Sequence, residues 1–374
     1  MHAPRNLARC VLVFLALLAA VLAAPALAAP PADTNGDGEI RMAALSDVEG
    51  AVADARVAAA ALAGHGVDFV VIAGDLYEDE GHRKHPMFPD STDNVREMVD
   101  GVRPFAELGV PVYVIPGNHE SRAVFGAAMD ILAVQCPNVR DINGRGVDLD
   151  GLNLVGLGGY YLAGRGAPDA FVLEPEDYVA ARERINAFLA EQPGEPVVFL
   201  THSPPLSRGA EDYVDGFGHV GDPGLAALLD APAPGAGAGP GAAPASALAP
   251  ASVSASVPVS GPGVPAVPVQ AVPAPAVGAG GALASVSPST APVVPASAPG
   301  AASAPAVAAP AAPAGAGGAS ILNICGHIHE RGGEWEIFDR GESHNVASVT
   351  PYRDPQAPRV TVFRVTPAGL TAIP

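Results

Sequence analysis

The chain has 374 residues, with 20 Lys and Arg against 39 Asp and Glu (formal net charge −19), 43 Gly and 40 Pro. An acidic balance of that size argues against a partner bound through a nucleic-acid phosphate backbone, which needs basic surface. The 49% hydrophobic share is no mark of a membrane protein, because Ala and Val concentrated in residues 1–28 and 231–319 inflate it.

Residues 1–28 read as a secretory signal peptide. Arg5 and Arg9 form a basic start, Val11–Ala24 an apolar run, and Ala26-Leu27-Ala28 a small-residue cleavage site. No other stretch is apolar enough to span a bilayer, since 231–319 is broken throughout by Pro and Gly. The expectation is an exported protein, periplasmic or secreted, with no membrane span after the signal is removed. Three cysteines, Cys10, Cys136 and Cys325, do not make a disulfide framework.

A short polar segment, 29–40, precedes the first element. Within it Asp33-Thr34-Asn35-Gly36-Asp37-Gly38 copies the first half of a calcium loop, but the twelfth position is Ala44 where a bidentate Glu is needed. A strand–turn–helix rhythm then begins. Ile40–Ser46 is an apolar run ending at Asp47, and Val52–Ala63 an Ala-rich helix closed by Gly64. Val67–Ala73 is a buried-strand pattern ending at Gly74-Asp75; Val95–Leu108 has helical spacing, interrupted by Pro104. Val110–Ile115 is a strand ending at Pro116-Gly117-Asn118-His119-Glu120, and Val124–Val134 is helical. Val147–Leu157 reads as a hairpin, Glu176–Glu191 as an amphipathic helix, Pro196–Leu200 as a strand ending at Thr201-His202, and Gly224–Asp230 as a short helix. Beyond residue 319, Ile321–Cys325 is a strand ending at Gly326-His327-Ile328-His329, and Glu334–Phe338, Asn345–Val349 and Val360–Val365 read as further strands.

The tract 231–319 holds no charged and no aromatic residue, so it has no means of building a core and is expected to be a disordered Ala/Pro/Gly-rich insertion. It interrupts one domain, built from 41–230 and 320–374, rather than joining two. Closure entropy grows only logarithmically, so replacing a short turn by this tract costs roughly 2–3 kcal/mol. Its composition names no partner.

Each apolar strand hands over to polar residues at its C-terminal end, the edge where open α/β sheets bind ligands. Collected, those residues are Asp47, Glu49, Asp75, Asn118, His119, His202, His327 and His329. Hard oxygen and borderline nitrogen donors on one sheet edge suit two neighbouring divalent cations, with a carboxylate able to bridge them. The remaining histidines carry blander readings. His65, His82, His85 and His344 read as solvated surface groups, and His219 either packs its loop or supports a ligand from behind.

Gly74-Asp75, Gly117-Asn118-His119-Glu120, Thr201-His202 and Gly326-His327-Ile328-His329, in this order, resemble the calcineurin-like metallophosphoesterase superfamily, in its small single-domain bacterial and archaeal form. The resemblance implies an α/β fold, a four-layer α/β/β/α sandwich. It implies a first metal on Asp47, Asp75 and His329 and a second on Asp75, Asn118, His202 and His327, with His119 facing the leaving oxygen as the catalytic acid. It further implies hydrolysis of small phosphomonoesters or phosphodiesters by a metal-bridging hydroxide.

Three departures bear on substrate and metal. The family's first motif is Asp-x-His, and here the run is Asp47-Val48-Glu49; Glu49 either faces solvent or replaces the imidazole as a ligand. The second reading favours Mn, Fe or Mg over Zn, which stays possible. Protein phosphatases of the superfamily carry Asp-Arg-Gly after the second motif, where this chain has Glu78-Asp79-Glu80-Gly81 and so lacks that phosphate-binding arginine. The iron-binding Tyr of purple acid phosphatases would fall at Glu78, a carboxylate that could instead orient His119. Arg122 and Arg165 are candidates for substrate contact, or ordinary surface arginines. The alternative to an enzyme is a non-catalytic exported metal-binding or surface protein with a degenerate first metal site.

Overall fold

The computed structural model describes residues 31–77, 92–161, 169–207, 209–215, 217–230, 320–349 and 360–373. The expected signal peptide, the insertion 231–319, Glu78, His82, His85 and Arg165 lie outside the described residues.

Two six-stranded sheets carry the fold. The first is built from β1 (Ile40–Leu45), β2 (Phe69–Ala73), β3 (Val112–Ile115), β4 (Val139–Asp141), β13 (Thr361–Thr366) and β14 (Gly369–Ile373), in the order β14-β13-β1-β2-β3-β4. β1 to β4 are mutually parallel, and β13 and β14 close one side antiparallel. The second is built from β5 (Gly146–Leu149), β6 (Leu152–Leu157), β7 (Val197–Thr201), β10 (Ile321–Cys325), β11 (Trp335–Phe338) and β12 (Gly341–Asn345), in the order β11-β12-β10-β7-β6-β5. Its four central strands are parallel, with β5 and β11 antiparallel at the two edges. A two-stranded hairpin, β8 (Tyr213–Val214) and β9 (Gly218–His219), stands apart.

The period-2 alternation of strand side chains assigns the layers. Met42, Ala44, Phe69, Val71, Tyr113 and Ile115 of the first sheet meet Leu152, Leu154, Val198, Leu200, Leu322 and Ile324 of the second in one shared core. The alternate residues Ala43, Val70, Ile72, Val112 and Val114 pack outward against α1 (Val52–Leu62), α2 (Thr92–Ala106) and α3 (Arg122–Gln135). Val197, Phe199 and Ile321 pack outward against α4 (Pro175–Glu191) and α5 (Pro223–Leu229). The order is therefore helices, sheet, sheet, helices, the expected four-layer sandwich. Strands buried on both faces need continuous apolar runs, which is why these elements are readable in the sequence.

Several elements depart from the expectation. The strand placed at Asn345–Val349 is instead β12, Gly341–Asn345, beside β10. Its Ser343 and Asn345 are polar because their face meets a buried polar layer rather than the apolar core. Asn323 Nδ2 donates to Thr201 Oγ1 at 3.0 Å and to Phe199 O at 2.9 Å, while the Cys325 thiol donates to Glu211 Oε1 at 3.1 Å. His344, expected on the surface, is buried, stacked on Trp335 and edge-on to Phe363. In the half calcium loop the Asp33 carboxylate accepts from the amides of Gly36 and Gly38, and Asp37 and Glu39 both pair with Arg41. The loop's carboxylates are thus engaged by backbone amides and a guanidinium. Cys136 and Cys325 are free thiols.

The polar layer dictates a protonation state. The Ser343 hydroxyl lies 2.6 Å from Asn323 Oδ1 and 2.6 Å from Glu211 Oε1, one proton facing two acceptors, so a proton on Glu211 completes the network. Burial pushes the Glu211 carboxyl up to about 8 from an ordinary 4.5. As pH rises through the ordinary Glu range the unfolded chain releases this proton and the folded chain keeps it. Glu211 therefore subtracts stability progressively between about pH 4.5 and 8. Glu211→Gln, whose amide mimics the protonated acid, should flatten that decline and raise the unfolding midpoint at alkaline pH more than at acid pH. Thermal unfolding at about pH 5 and pH 8 reads it; an unchanged pH slope would mean that the carboxyl is ionised in place.

Candidate metal centre

The C-terminal ends of β1, β2 and β3 from one sheet, and of β7 and β10 from the other, meet at one edge of the sandwich and deliver the eight strand-end residues collected from the sequence. The turns there are tight. Among the described residues five non-glycine positions have positive φ, and four of them are Asp47 (53°), Glu49 (46°), Asp75 (51°) and His327 (71°). Left-handed backbone costs a non-glycine residue free energy, and it persists where the surroundings over-determine it, as at functional sites. Gly74 shows how close the turns come. At φ 88°, a side chain there would meet Gly117 N at 2.6 Å and the His202 ring at 2.8 Å.

The turns are laced together. Asp47 N donates to Gly74 O and Glu49 N to Asp75 O, each at 3.0 Å. His119 N donates to Asp75 Oδ1 at 3.0 Å, His327 N to Asp47 Oδ2 at 3.1 Å, and Gly326 N to His202 O at 2.9 Å. Glu120 lies beneath them as an acceptor. Its carboxylate takes the amides of Asp75 (3.0 Å), Leu76 (2.7 Å) and Gly117 (2.5 Å), tying the β2 turn to the β3 turn. Ser348 Oγ donates to Asp47 O, and the Tyr160 ring packs 5.0 Å from that of His327.

Two groups of donor atoms result. In one, His202 Nε2 lies 2.8 Å from Asn118 Oδ1, 3.2 Å from His327 Nδ1 and 3.3 Å from Asp75 Oδ2. His202 Nδ1 donates to Ala73 O at 2.7 Å, which directs the Nε2 lone pair into the group. One ligand atom each from Asp75, His202 and His327 falls within 4.8 Å of the others. Four lone-pair-bearing atoms aimed at one point repel unless a cation or protons lie among them, so this donor set fits a divalent metal. In the other group His329 Nε2 lies 3.0 Å from Asp47 Oδ1 and 3.4 Å from Glu49 Oε1. Glu49 is 7% exposed, so its carboxylate turns into the site and not to solvent.

The titration behaviour follows from crowding charges in a buried space. Burial opposes ionisation of Asp47 and Asp75, yet neighbouring imidazoles, His329 for the first and His119 and His202 for the second, hold both below the ordinary range. Burial disfavours charged imidazoles, but Asp75 raises His202 to about 9 and Asp47 raises His329 to about 10. His327 is held down at about 3 by burial and by His202. Burial lifts Glu49 to about 7 against the pull of His329. His202 and His329 thus carry, as protons, positive charge that a cation would bring.

His119 lies at the mouth, its Nε2 3.9 Å from Asp75 Oδ2. His219 bonds Asp212 at 2.7 Å rather than any of the donor residues. Arg122 lies over the Phe171 ring at 4.6 Å, the ordinary surface placement. Glu120 stands inside the Gly117-Asn118-His119-Glu120 run, where the sequence assigns it no role, and Ser348 and Tyr160 have no local sequence signal at all. Burial, and then Asp75, raise the Glu120 carboxyl to about 7. Glu120→Ala leaves the buried amides of Asp75, Leu76 and Gly117, and that of Tyr77 at 3.4 Å, without this acceptor, at ~1–3 kcal/mol each, and should lower stability by about 3 kcal/mol or more. Glu120→Gln, which keeps a carbonyl acceptor, should lose less. Urea midpoints of the two variants measure the difference; equal small losses would remove the buttress role.

Residues 40–231 match the calcineurin-like phosphoesterase family. No curated protein matches the chain. Among solved structures, protein TT1561 of Thermus thermophilus is 18% identical and aligns over 50% of this chain and 76% of its own, with a TM-score of 0.37. A dimetal phosphatase from Danio rerio is 13% identical over 45% of this chain and 70% of its own, with a TM-score of 0.32. The family match spans half the chain and every strand-end turn of its first segment, and the cluster those turns build fits a metal, so the chain belongs to the calcineurin-like phosphoesterase family and is a metal-dependent phosphoesterase.

Proposed function

We propose that the protein is an exported dinuclear metal-dependent phosphoesterase acting on small phosphomonoesters or phosphodiesters. The observation that carries this reading is the pair of adjoining donor groups sharing the Asp75 side of the cleft. Asp75, Asn118, His202 and His327 would hold one cation. Asp47, Glu49 and His329, with the other side of Asp75, would hold the other, at the first site. Export rests on the composition of residues 1–28 alone.

When bound, two divalent cations would acidify water and neutralise the phosphoryl oxygens. The chain's own contributions are positional. Asp75 is held between the groups by the His119 amide on Oδ1 and His202 on Oδ2. Glu120 and the left-handed turns keep the donors apart and aimed inward, so little reorganisation is needed when charge develops. Burial excludes bulk water from Asp47, Asp75 and His202. His119, beside Asp75 and mostly buried, is held with its imidazole raised above its ordinary value: burial opposes the charged form, Asp75 and then Glu120 favour it. Its place beside the Asp75 carboxylate puts its imidazole where it would meet the departing alcohol oxygen.

The second reading, a non-catalytic metal-binding protein with a degenerate first site, predicts one metal equivalent per chain. Glu49 beside His329 supports the two-metal reading. Metal-stripped protein given Mn, Mg, Fe(II) or Zn separately should hydrolyse a chromogenic mono- or diester and hold two equivalents; one equivalent and no turnover with any metal would leave the second reading. Because oxygen donors dominate at Asp47, Glu49 and Asp75, Mn, Mg or Fe(II) should serve better than Zn. Glu49→His should keep activity and move the preference towards Zn. Glu49→Ala should weaken the first site at least ~10-fold, and two-metal binding with full turnover in that variant would remove Glu49 from the ligand set. His119→Ala should keep both metals and lose ~10²–10⁴-fold in turnover, less for esters whose leaving group needs no proton. Loss of one metal equivalent there would contradict its role.

A further inference from the structure

Residues 345–349, which start at the last residue of β12, contribute no donor atom to the metal centre, yet they bond to strand-end turns of both sheets. Toward the second sheet, Val346 N donates to Cys325 O at 2.8 Å, and Asn345 Nδ2 donates at 3.2 Å to Ile328 O, the carbonyl between His327 and His329. Toward the first, Ser348 Oγ donates to Asp47 O at 3.0 Å and Val349 N to Ser46 O at 3.1 Å. The run is a strap joining the β10 turn to the β1 turn.

The strap is itself held in shape. Asn345 Oδ1 accepts from Ala347 N at 2.9 Å, a side-chain bond to the amide two residues on that folds the run into a tight bend. Asn345 and Ser348 are 1% and 3% exposed, so bulk water does not compete for either side chain. Packing leaves little play around it: a side chain at Gly332 would collide with Ala347 O, and one at Gly326 with Ser46 Oγ.

Its bonds fall on the turns where the backbone is strained. Asp47 at φ 53° and His327 at φ 71° hold left-handed conformations, which cost a non-glycine residue free energy and persist only where neighbouring groups over-determine them. Asp47 Oδ1 and His329 Nε2 lie 3.0 Å apart but follow strands of different sheets, so their separation depends on whatever joins the two turns. His327 N on Asp47 Oδ2 is one direct link, and the strap supplies more. We propose that Ser348 and Asn345 are positioning residues of the metal centre: Ser348 fixes the Asp47 turn against the His329 turn, which Asn345 holds through Ile328 O. Ser348 then governs the site of Asp47, Glu49 and His329, whereas Asn345 governs both sites, because Ile328 lies between a donor of each. This rests on the two-metal reading above.

The test titrates Mn(II) by equilibrium dialysis into metal-stripped, full-length protein, for the parent, Ser348→Ala and Asn345→Ala, with metal-free thermal unfolding measured alongside. Ser348→Ala should weaken one of two equivalents about tenfold, the same one that Glu49→Ala weakens, and leave the other unchanged. Asn345→Ala should weaken both. A role in stability alone would lower the unfolding midpoint of Ser348→Ala and leave both affinities as in the parent. That result, or equal weakening of both equivalents in Ser348→Ala, would overturn the proposal, as would parental affinities in Asn345→Ala; if Asn345→Ala does not fold, Ser348→Ala decides. A parent that holds a single equivalent would overturn the two-metal reading instead, and the strap then stands if Ser348→Ala weakens that equivalent and falls if it does not.

Discussion

The structure depends on keeping Asp75 as an anion inside the protein. A lone buried carboxylate surrenders its charge by taking a proton. Asp75 does not, because the His119 amide donates to one oxygen and His202 sits 3.3 Å from the other. Its own amide is taken by Glu120, and its backbone is held left-handed at φ 51°. His119 and Glu120 come from the end of β3 and His202 from the end of β7, so the position of one carboxylate requires β2, β3 and β7 to finish in register across two sheets. Gly74 and Gly117 exist as glycines for the same reason: with side chains, the two turns could not lie against each other.

That requirement explains what is legible in the sequence. β1, β2, β3, β7 and β10 are buried on both faces, so they have to be apolar runs, and their ends have to switch abruptly to polar residues. Both features are local and can be read within a residue or two. β12 escapes such reading because Ser343 and Asn345 look like loop residues until Asn323, Cys325 and Glu211 are set opposite them. β4, β8 and β9 are two or three residues long, too short for periodicity to register. His344 looks solvated because nothing near it in sequence announces that Trp335 and Phe363 close over it. The roles of Glu120 and Glu211 are likewise defined by partners distant in the chain, or by burial, and single-residue reading has no access to those.

The order of the chain adds a constraint. The segment 320–349 supplies β10 and β12 to the second sheet and carries His327 and His329, while β13 and β14 complete the first sheet. Neither sheet nor donor group is whole without residues beyond 319. Closure entropy rises only logarithmically with length, so for a flexible connection of the length between 230 and 320 it comes to about 2–3 kcal/mol. A domain that buries two apolar layers outside its sheets and one between them has that margin.

The two donor groups are chemically unlike, and the difference comes from one residue. Around His202 the donors are two imidazole nitrogens, an amide oxygen and a shared carboxylate. Around His329 they are one nitrogen and the carboxylates of Asp47 and Glu49. With a histidine at position 49 the two would be nearly matched. With Glu49, the second group gathers more negative charge into a space that is mostly closed, which is why this carboxyl is lifted to about 7 by burial even with His329 beside it. A group in that condition is balanced between holding a proton and holding a cation. On the two-metal reading proposed above, a divalent ion would displace that proton, so replacing an imidazole by a carboxylate would favour hard cations and would make their capture depend on proton loss.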